Sequence, residues 1–135
     1  HLFSIDLDAP TRVVDVGQDA ELARISMDRS AVLLEKSERI TLLRGDSRTY
    51  DYSSIPPCDF IWIDGGHDLD TVASDKANAM RLLNASAVAT VAWHDYGNPL
   101  YEEPTAYIDR LSESRTVYRV AETMICFSTP LEVIA

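Results

Sequence analysis

Apolar and polar positions along the chain follow two alternating patterns. Short, nearly unbroken apolar runs stop at acidic or glycine-rich residues: LFSIDL (Leu2–Leu7), ITLLRG (Ile40–Gly45), DFIWIDGG (Asp59–Gly66) and AVATVAW (Ala87–Trp93). Runs of this kind read as parallel strands buried on both faces. Between them, apolar residues recur at helical spacing. Leu69, Val72, Ala73, Met80 and Leu83 share one face of a helix expected over 68–83. The stretch 20–36 repeats the pattern more weakly through Leu22, Ile25, Leu33 and Leu34 and predicts one or two helices. Residues 104–113 open on Pro104, favoured in a first helical turn, and are expected to bury Tyr107, Ile108 and Leu111. TVYRVAE and MICFST, near the C-terminus, predict a closing antiparallel hairpin. Strand–helix alternation of this kind predicts an α/β fold on a mostly parallel sheet.

Size and charge narrow the function. The 135 residues fit a single domain that needs no disulfide staples. Acidic residues outnumber basic ones, 22 to 12, for a net charge of −10. Such a surface repels phosphate backbones, so nucleic acid is not expected as a partner. No apolar run approaches the ~20 residues of a membrane helix, so no membrane partner is expected either. Cys58 and Cys126 are far apart and form no CxxC pattern, which fits buried reduced thiols in a cytoplasmic protein.

Ligands of open α/β sheets bind at the carboxyl ends of the strands. Every predicted strand here ends in a carboxylate. The first run is followed by Asp6 and Asp8, and the second by Gly45, Asp46 and Ser47. The third leads into Asp64, Gly65, Gly66 and His67, the fourth into His94, Asp95, Tyr96 and Gly97. One aspartate at a strand end is often only a turn former or helix cap. Four tips together point to a shared polar site. A carboxylate after a strand can accept both hydroxyls of a ribose, and Asp46 could hold an adenine amino group. The two glycines after Asp64 would let the backbone come close to a ligand. Asp64, His94 and Asp95 could form an oxygen and nitrogen site for a hard divalent cation. Taken alone, His94 also fits a hydrogen-bonded core histidine.

The run from Ile40 to Leu83, with DFIWIDGGH at its centre, followed by VAWHDYGNP, resembles the class I S-adenosylmethionine-dependent methyltransferases. The resemblance is to the small-molecule O-methyltransferase branch, extends from Leu2 to about Ser128, and implies a Rossmann-like fold. It implies that Asp6 binds the ribose of S-adenosylmethionine and that Asp46 and Ser47 form the adenine side. Asp64 would begin the tip that faces the methyl group. In the cation-dependent members this tip and the next hold a divalent metal such as Mg²⁺, here matched by Asp64, His94 and Asp95. His67, three residues after the first metal aspartate, matches the catalytic base. The implied reaction is methyl transfer to a hydroxyl of a small-molecule substrate.

The chain departs from the family pattern in three places. Asn84-Ala85-Ser86-Ala87 replaces a Pro-Gly-Gly turn, and Tyr96 replaces an asparagine after the second metal aspartate. The glycine-rich first loop has no counterpart: Arg12–Glu21 starts as VVDVG but continues with Gln18, Asp19 and Ala20. With His1 in place of an initiating methionine, the expectation is a truncated chain starting at the family's second strand. Such a chain would bind S-adenosylmethionine weakly or not at all, show no measurable methyl transfer and be prone to pair with a second copy as a homo-dimer. Two alternatives stand beside this reading: a metal-dependent hydrolase using the two His-Asp pairs, and a non-catalytic remnant of the fold.

Overall fold

The structure is a computed structural model that describes residues 1–6, 38–86 and 88–130. Asp8, the Arg12–Glu21 segment and the helix expected over 20–36 lie outside the described residues. The chain divides into two compact units, His1–Asp51 and Tyr52–Ala135.

In the first unit, β1 (Leu2–Asp6) and β2 (Ile40–Arg44) pair in parallel, with Leu2 opposite Ile40 and Asp6 opposite Arg44. Parallel pairing places both carboxyl ends at the same end of the ladder. Asp6 and the turn that begins at Gly45 therefore share one end of this unit. Gly45 has a φ of +150°, and a Cβ there would stand 3.1 Å from the Tyr50 ring, so glycine meets both demands of the turn.

The second unit contains β3 (Phe60–Ile63), α1 (Leu69–Leu82), β4 (Thr90–Trp93), α2 (Glu102–Leu111), β5 (Tyr118–Arg119) and β6 (Cys126–Ser128). A 3₁₀ turn, Tyr52–Ser54, precedes β3. The strand order is β3-β4-β6-β5. β3 and β4 are parallel, whereas β6 runs antiparallel to both β4 and β5, which is the expected closing hairpin. Among the described strands, β4 alone is buried on both faces. On β3, Phe60 and Trp62 are exposed while Ile61 and Ile63 pack against the core. The expectation of two-sided burial therefore fails for β3, an edge strand in this sheet.

Val91, Trp93, Ile108, Cys126 and Ala79 form the core. Full burial of a large apolar side chain contributes roughly 1.5–3 kcal/mol, so β4 and α2 anchor the unit. Both cysteines are free, as expected, but only Cys126 is fully buried; Cys58 is half-buried. Burial, with Asp109 nearby, pushes the Cys126 thiol up to about 12, leaving it an inert core residue.

Helix limits shift from the sequence reading for local reasons. Asp68 is the N-cap of α1: its carboxylate accepts from the Thr71 amide at 3.0 Å and the Thr71 hydroxyl at 2.7 Å. Val72 is buried as the periodicity predicts and Ala73, Met80 and Leu83 are half-buried, but Leu69 at the helix start is exposed, and Ala79, outside the predicted set, is buried. At the other end, the Leu82 carbonyl accepts from the Cys58 amide, so the segment before β3 takes up an otherwise orphan helix carbonyl. α2 begins at Glu102, two residues before Pro104. The proline still falls within the first turn, where an amide has no intrahelical partner to lose. β4 begins at Thr90, later than expected, because the amides of Val88 and Ala89 turn back onto Ser86.

Removing the α1 cap gives a direct stability test. Asp68→Ala should cost about 1 kcal/mol, lowering the midpoint of thermal unfolding followed by circular dichroism by roughly 4 °C.

Candidate functional site

Parallel register builds the centre of the site. Ile63 pairs with Trp93, and the His94 amide donates to the Ile63 carbonyl at 3.0 Å. The next residues, Asp64 and His94, consequently leave adjacent strands side by side. His94 Nδ1 lies 3.5 Å from Asp64 Oδ1 and 2.9 Å from Asp95 Oδ2. One ligand atom from each of Asp64, His94 and Asp95 lies within 4.8 Å of the others.

Asp95 adopts a left-handed backbone, φ +59°, immediately after β4. Aspartate tolerates this region better than most residues, though the conformation costs on the order of 1 kcal/mol. The turn carries the Asp95 carboxylate back under His94. There its Oδ2 also meets His67 Nε2 at 2.9 Å, and its Oδ1 accepts from Asn98 Nδ2 at 2.7 Å. Side-chain exposure grades outward, from 12% at Asp95 to 19% at His67, 36% at His94 and 49% at Asp64. Asp95 is thus the inner, shared acceptor and Asp64 the outer, solvent-facing one.

The electrostatics follow from this arrangement. Burial raises the Asp95 pKa, but hydrogen bonds from Asn98, His67 and His94 outweigh it and hold the carboxyl below its ordinary range. The bond to Asp95 is the main reason His94 is raised above its ordinary value; partial burial opposes this, and the Asp64 charge adds to it. An ionised carboxylate has no proton to give, so both ring nitrogens facing Asp95 carry theirs. The two shifts set a pH window. The stabilisation from His94 is complete below its ordinary 6.5 and is lost as pH rises through its raised folded value. That from Asp95 is present above its ordinary 3.8 and is lost as pH falls through its lowered folded value.

His67 reaches Asp95 from the loop between β3 and α1. Its ring stacks on Tyr101, with centroids 3.7 Å apart and planes 13° apart. Tyr101 is the N-cap residue of α2 and carries no sequence signal for this role. The glycines before His67 serve the chain's own packing. A Cβ on Gly65 would stand 2.6 Å from Asp75 Oδ2, and one on Gly66 3.1 Å from Thr71 Cγ2. The close approach they permit here is to α1. Gly66, His67, Trp93 and His94 help line a cavity of about 20 Å³, which has room for one water or ion.

A divalent cation fits the donor set. Metal–ligand bonds of about 2.0–2.2 Å place neighbouring donors roughly 3 Å apart, close to the 2.9 and 3.5 Å separations at His94 Nδ1. One imidazole and two carboxylates suit a hard or borderline ion. Tyr96, which stands where the resemblance calls for asparagine, serves a different purpose. Its hydroxyl donates to Asp109 Oδ1 at 2.7 Å and ties the site loop to α2.

The remaining predicted residues belong to the first unit. Asp6 closes β1. The Asp46 carboxylate accepts from the Arg48 amide at 2.9 Å and the Arg48 guanidinium at 2.5 Å, which holds its pKa down to about 2. Asp46 is therefore a turn former as well as a candidate ligand. Ser47 adjoins it in the same turn.

Comparison with known proteins follows the same lines. The sequence profile of a family described as a methyltransferase domain matches residues 1–96. Two similar solved structures are both of CalS11. One is its apo structure, described as a TDP-rhamnose 3'-O-methyltransferase of calicheamicin biosynthesis. It has a TM-score of 0.58 and 12% identity, and the match covers 93% of this chain and 56% of that one. The other, described as a calicheamicin methyltransferase, has a TM-score of 0.60 and 13% identity, covering 93% and 59%. The chain thus spans under three fifths of these proteins. At such identity the likeness is one of fold, the Rossmann-like methyltransferase fold. No curated protein matches the sequence.

The histidine at the centre of the cluster is open to direct titration. In the metal-free chain, the NMR-detected midpoint of His94 should lie above 6.5. Asp95→Asn should lower it, because the hydrogen-bonded charge that holds the proton is gone. A midpoint at or below the ordinary histidine value in the wild-type chain would contradict the geometry.

Proposed function

Given that the chain belongs to the methyltransferase-domain family, we propose that it takes part in S-adenosylmethionine-dependent methyl transfer to a small-molecule hydroxyl. The observation that carries the proposal is the meeting of His67 and His94 on one oxygen of Asp95, beside Asp64. CalS11 is described as acting on a sugar hydroxyl, and an acceptor hydroxyl of that chemical kind suits a site that pairs a histidine base with hard donors.

Asp64, His94 and Asp95 are the residues that would hold a divalent cation. When bound, the ion would act as a Lewis acid and lower the pKa of an acceptor hydroxyl. The chain's own residues do the rest. Asp95 orients His67 and fixes its Nε2 as the protonated nitrogen, which leaves Nδ1 as the basic one; that atom is buried here and must be uncovered to meet an acceptor. His67 takes the acceptor proton as the oxygen attacks the methyl carbon, and the stack on Tyr101 limits its ring to one plane. In the first unit, Asp6 would accept the ribose hydroxyls and the Gly45–Ser47 turn would flank the adenine. Two carboxyl ends at one end of a parallel ladder support that assignment. Much of the rate would come from alignment of donor and acceptor.

Family membership favours this reading over metal-dependent hydrolysis, which has no use for Asp6 or Asp46. Among the described residues no helix is long and apolar enough to cross a membrane.

The proposal is tested by calorimetric titration with S-adenosylhomocysteine, with and without Mg²⁺, alongside methyl transfer from labelled S-adenosylmethionine. In a chain extended at its N-terminus by the family's first strand and glycine-rich loop, binding that weakens in Asp6→Ala is expected, and no binding by that folded protein under either condition would overturn the reading. In the same extended chain, His67→Ala should lower turnover by roughly 10²–10⁴-fold with cofactor affinity little changed. Unaltered turnover would reduce His67 to a turn residue.

A further inference from the structure

Asn98 lies near the end of the VAWHDYGNP run, where the resemblance assigns it no role, yet it is wired into the centre of the site. Its side-chain amide is used at both ends. Nδ2 donates to Asp95 Oδ1 at 2.7 Å, and Oδ1 accepts from the Leu100 amide at 3.0 Å. The Leu100 amide can only donate, so the amide oxygen must face it and the NH₂ must face Asp95. This orientation is therefore fixed by chemistry. The Asn98 backbone closes the same turn: its N–H donates to the Asp95 carbonyl at 3.2 Å, and its carbonyl accepts from the Tyr101 amide at 3.0 Å. One residue is thus bonded to the carboxylate that both histidines share and to the residue on which His67 stacks.

A carboxylate is free to rotate about its Cβ–Cγ bond unless each oxygen is held. His67 and His94 both use Oδ2, and Asn98 donates to Oδ1. We propose that Asn98 is a positioning residue that locks the Asp95 carboxylate so that Oδ2 faces His94 and His67 together. The role rests on the reading above, in which Asp95 is both a metal ligand and the partner of the base. Partners of this kind, which orient a ligand without touching the metal, typically change metal affinity by about 10–100-fold.

The test uses the 135-residue chain with Mn²⁺ alone as the probe and two variants. Asn98→Ala removes both side-chain bonds. Asn98→Ser retains a hydroxyl that can accept from the Leu100 amide but ends short of Asp95 Oδ1. Calorimetry gives Mn²⁺ affinity, and ¹⁵N-histidine NMR of the metal-free chain gives the hydrogen-bonded Nε2–H signal of His67. The expected result is an affinity loss of about 10–100-fold and loss of the His67 N–H signal in both variants, with far-UV circular dichroism unchanged. Serine behaving like asparagine would make Asn98 a turn residue and overturn the proposal, as would an alanine variant equal to wild type. If the alanine variant fails to fold, the serine variant decides by the same criteria. If the wild-type chain binds no Mn²⁺, the metal reading fails separately and the NMR signal decides for Asn98: retention in the variants overturns the role, and loss in both upholds it.

Discussion

A single carboxylate organises the second unit's polar end. Asp95 is nearly enclosed, and an ionised group in that position is costly unless its oxygens are occupied. Two imidazoles and an amide occupy them. The left-handed backbone at Asp95 is the geometric condition for this, because an extended residue after β4 would send the side chain onward rather than back beneath His94. The local strain and the desolvation are offset by the hydrogen bonds they make possible, a balance typical of functional turns.

The apolar core beneath the turn makes that geometry stiff. Trp93 and Val91 on β4, Ile108 on α2 and Cys126 on β6 pack directly below the strand end. Tyr96 sends its hydroxyl to Asp109 on α2 and lies under the Arg119 guanidinium, while its amide donates to the Met124 carbonyl near β6. The loop that carries His94, Asp95 and Asn98 is therefore fastened to a helix on one side and to the hairpin on the other. A site held this way can keep donor atoms near 3 Å apart before any ligand arrives, which lowers the cost of binding one.

The two units carry different kinds of polar group. In the first, Asp6 and Asp46 sit at the ends of parallel strands and, under the proposed reading, meet the nucleoside part of the cofactor. In the second, carboxylates and imidazoles converge in a pattern suited to cation binding and proton transfer. Asp46 shows how the two kinds of role overlap. Its pairing with Arg48 makes it a permanently ionised acceptor that is already part of a turn, so a ligand amino group there would share a carboxylate instead of claiming an empty one.

The sequence alone determined the strands and the residues at their tips. Apolar runs ending in Asp6, Gly45, Asp64 and His94 marked the carboxyl ends of β1 to β4, because a buried strand must be continuously apolar and its exit is where polar groups can reach water. The D-G-G-H and H-D spacings named the cluster for the same reason. Tertiary structure decided the rest. Whether β3 is covered on one face or two depends on what packs over the sheet: Ile61 and Ile63 meet the core, while Phe60 and Trp62, equally apolar in sequence, stay exposed on the other face. Gly65 and Gly66 read as space for a ligand, but the space is filled by Asp75 and Thr71 of α1. Tyr101 carried no signal and Asn98, though inside VAWHDYGNP, none for its own role, since stacking and carboxylate-locking arise only when a helix cap and a left-handed turn bring side chains within 4 Å of each other. Composition and spacing state which groups are available; only the folded backbone states which oxygen each one reaches.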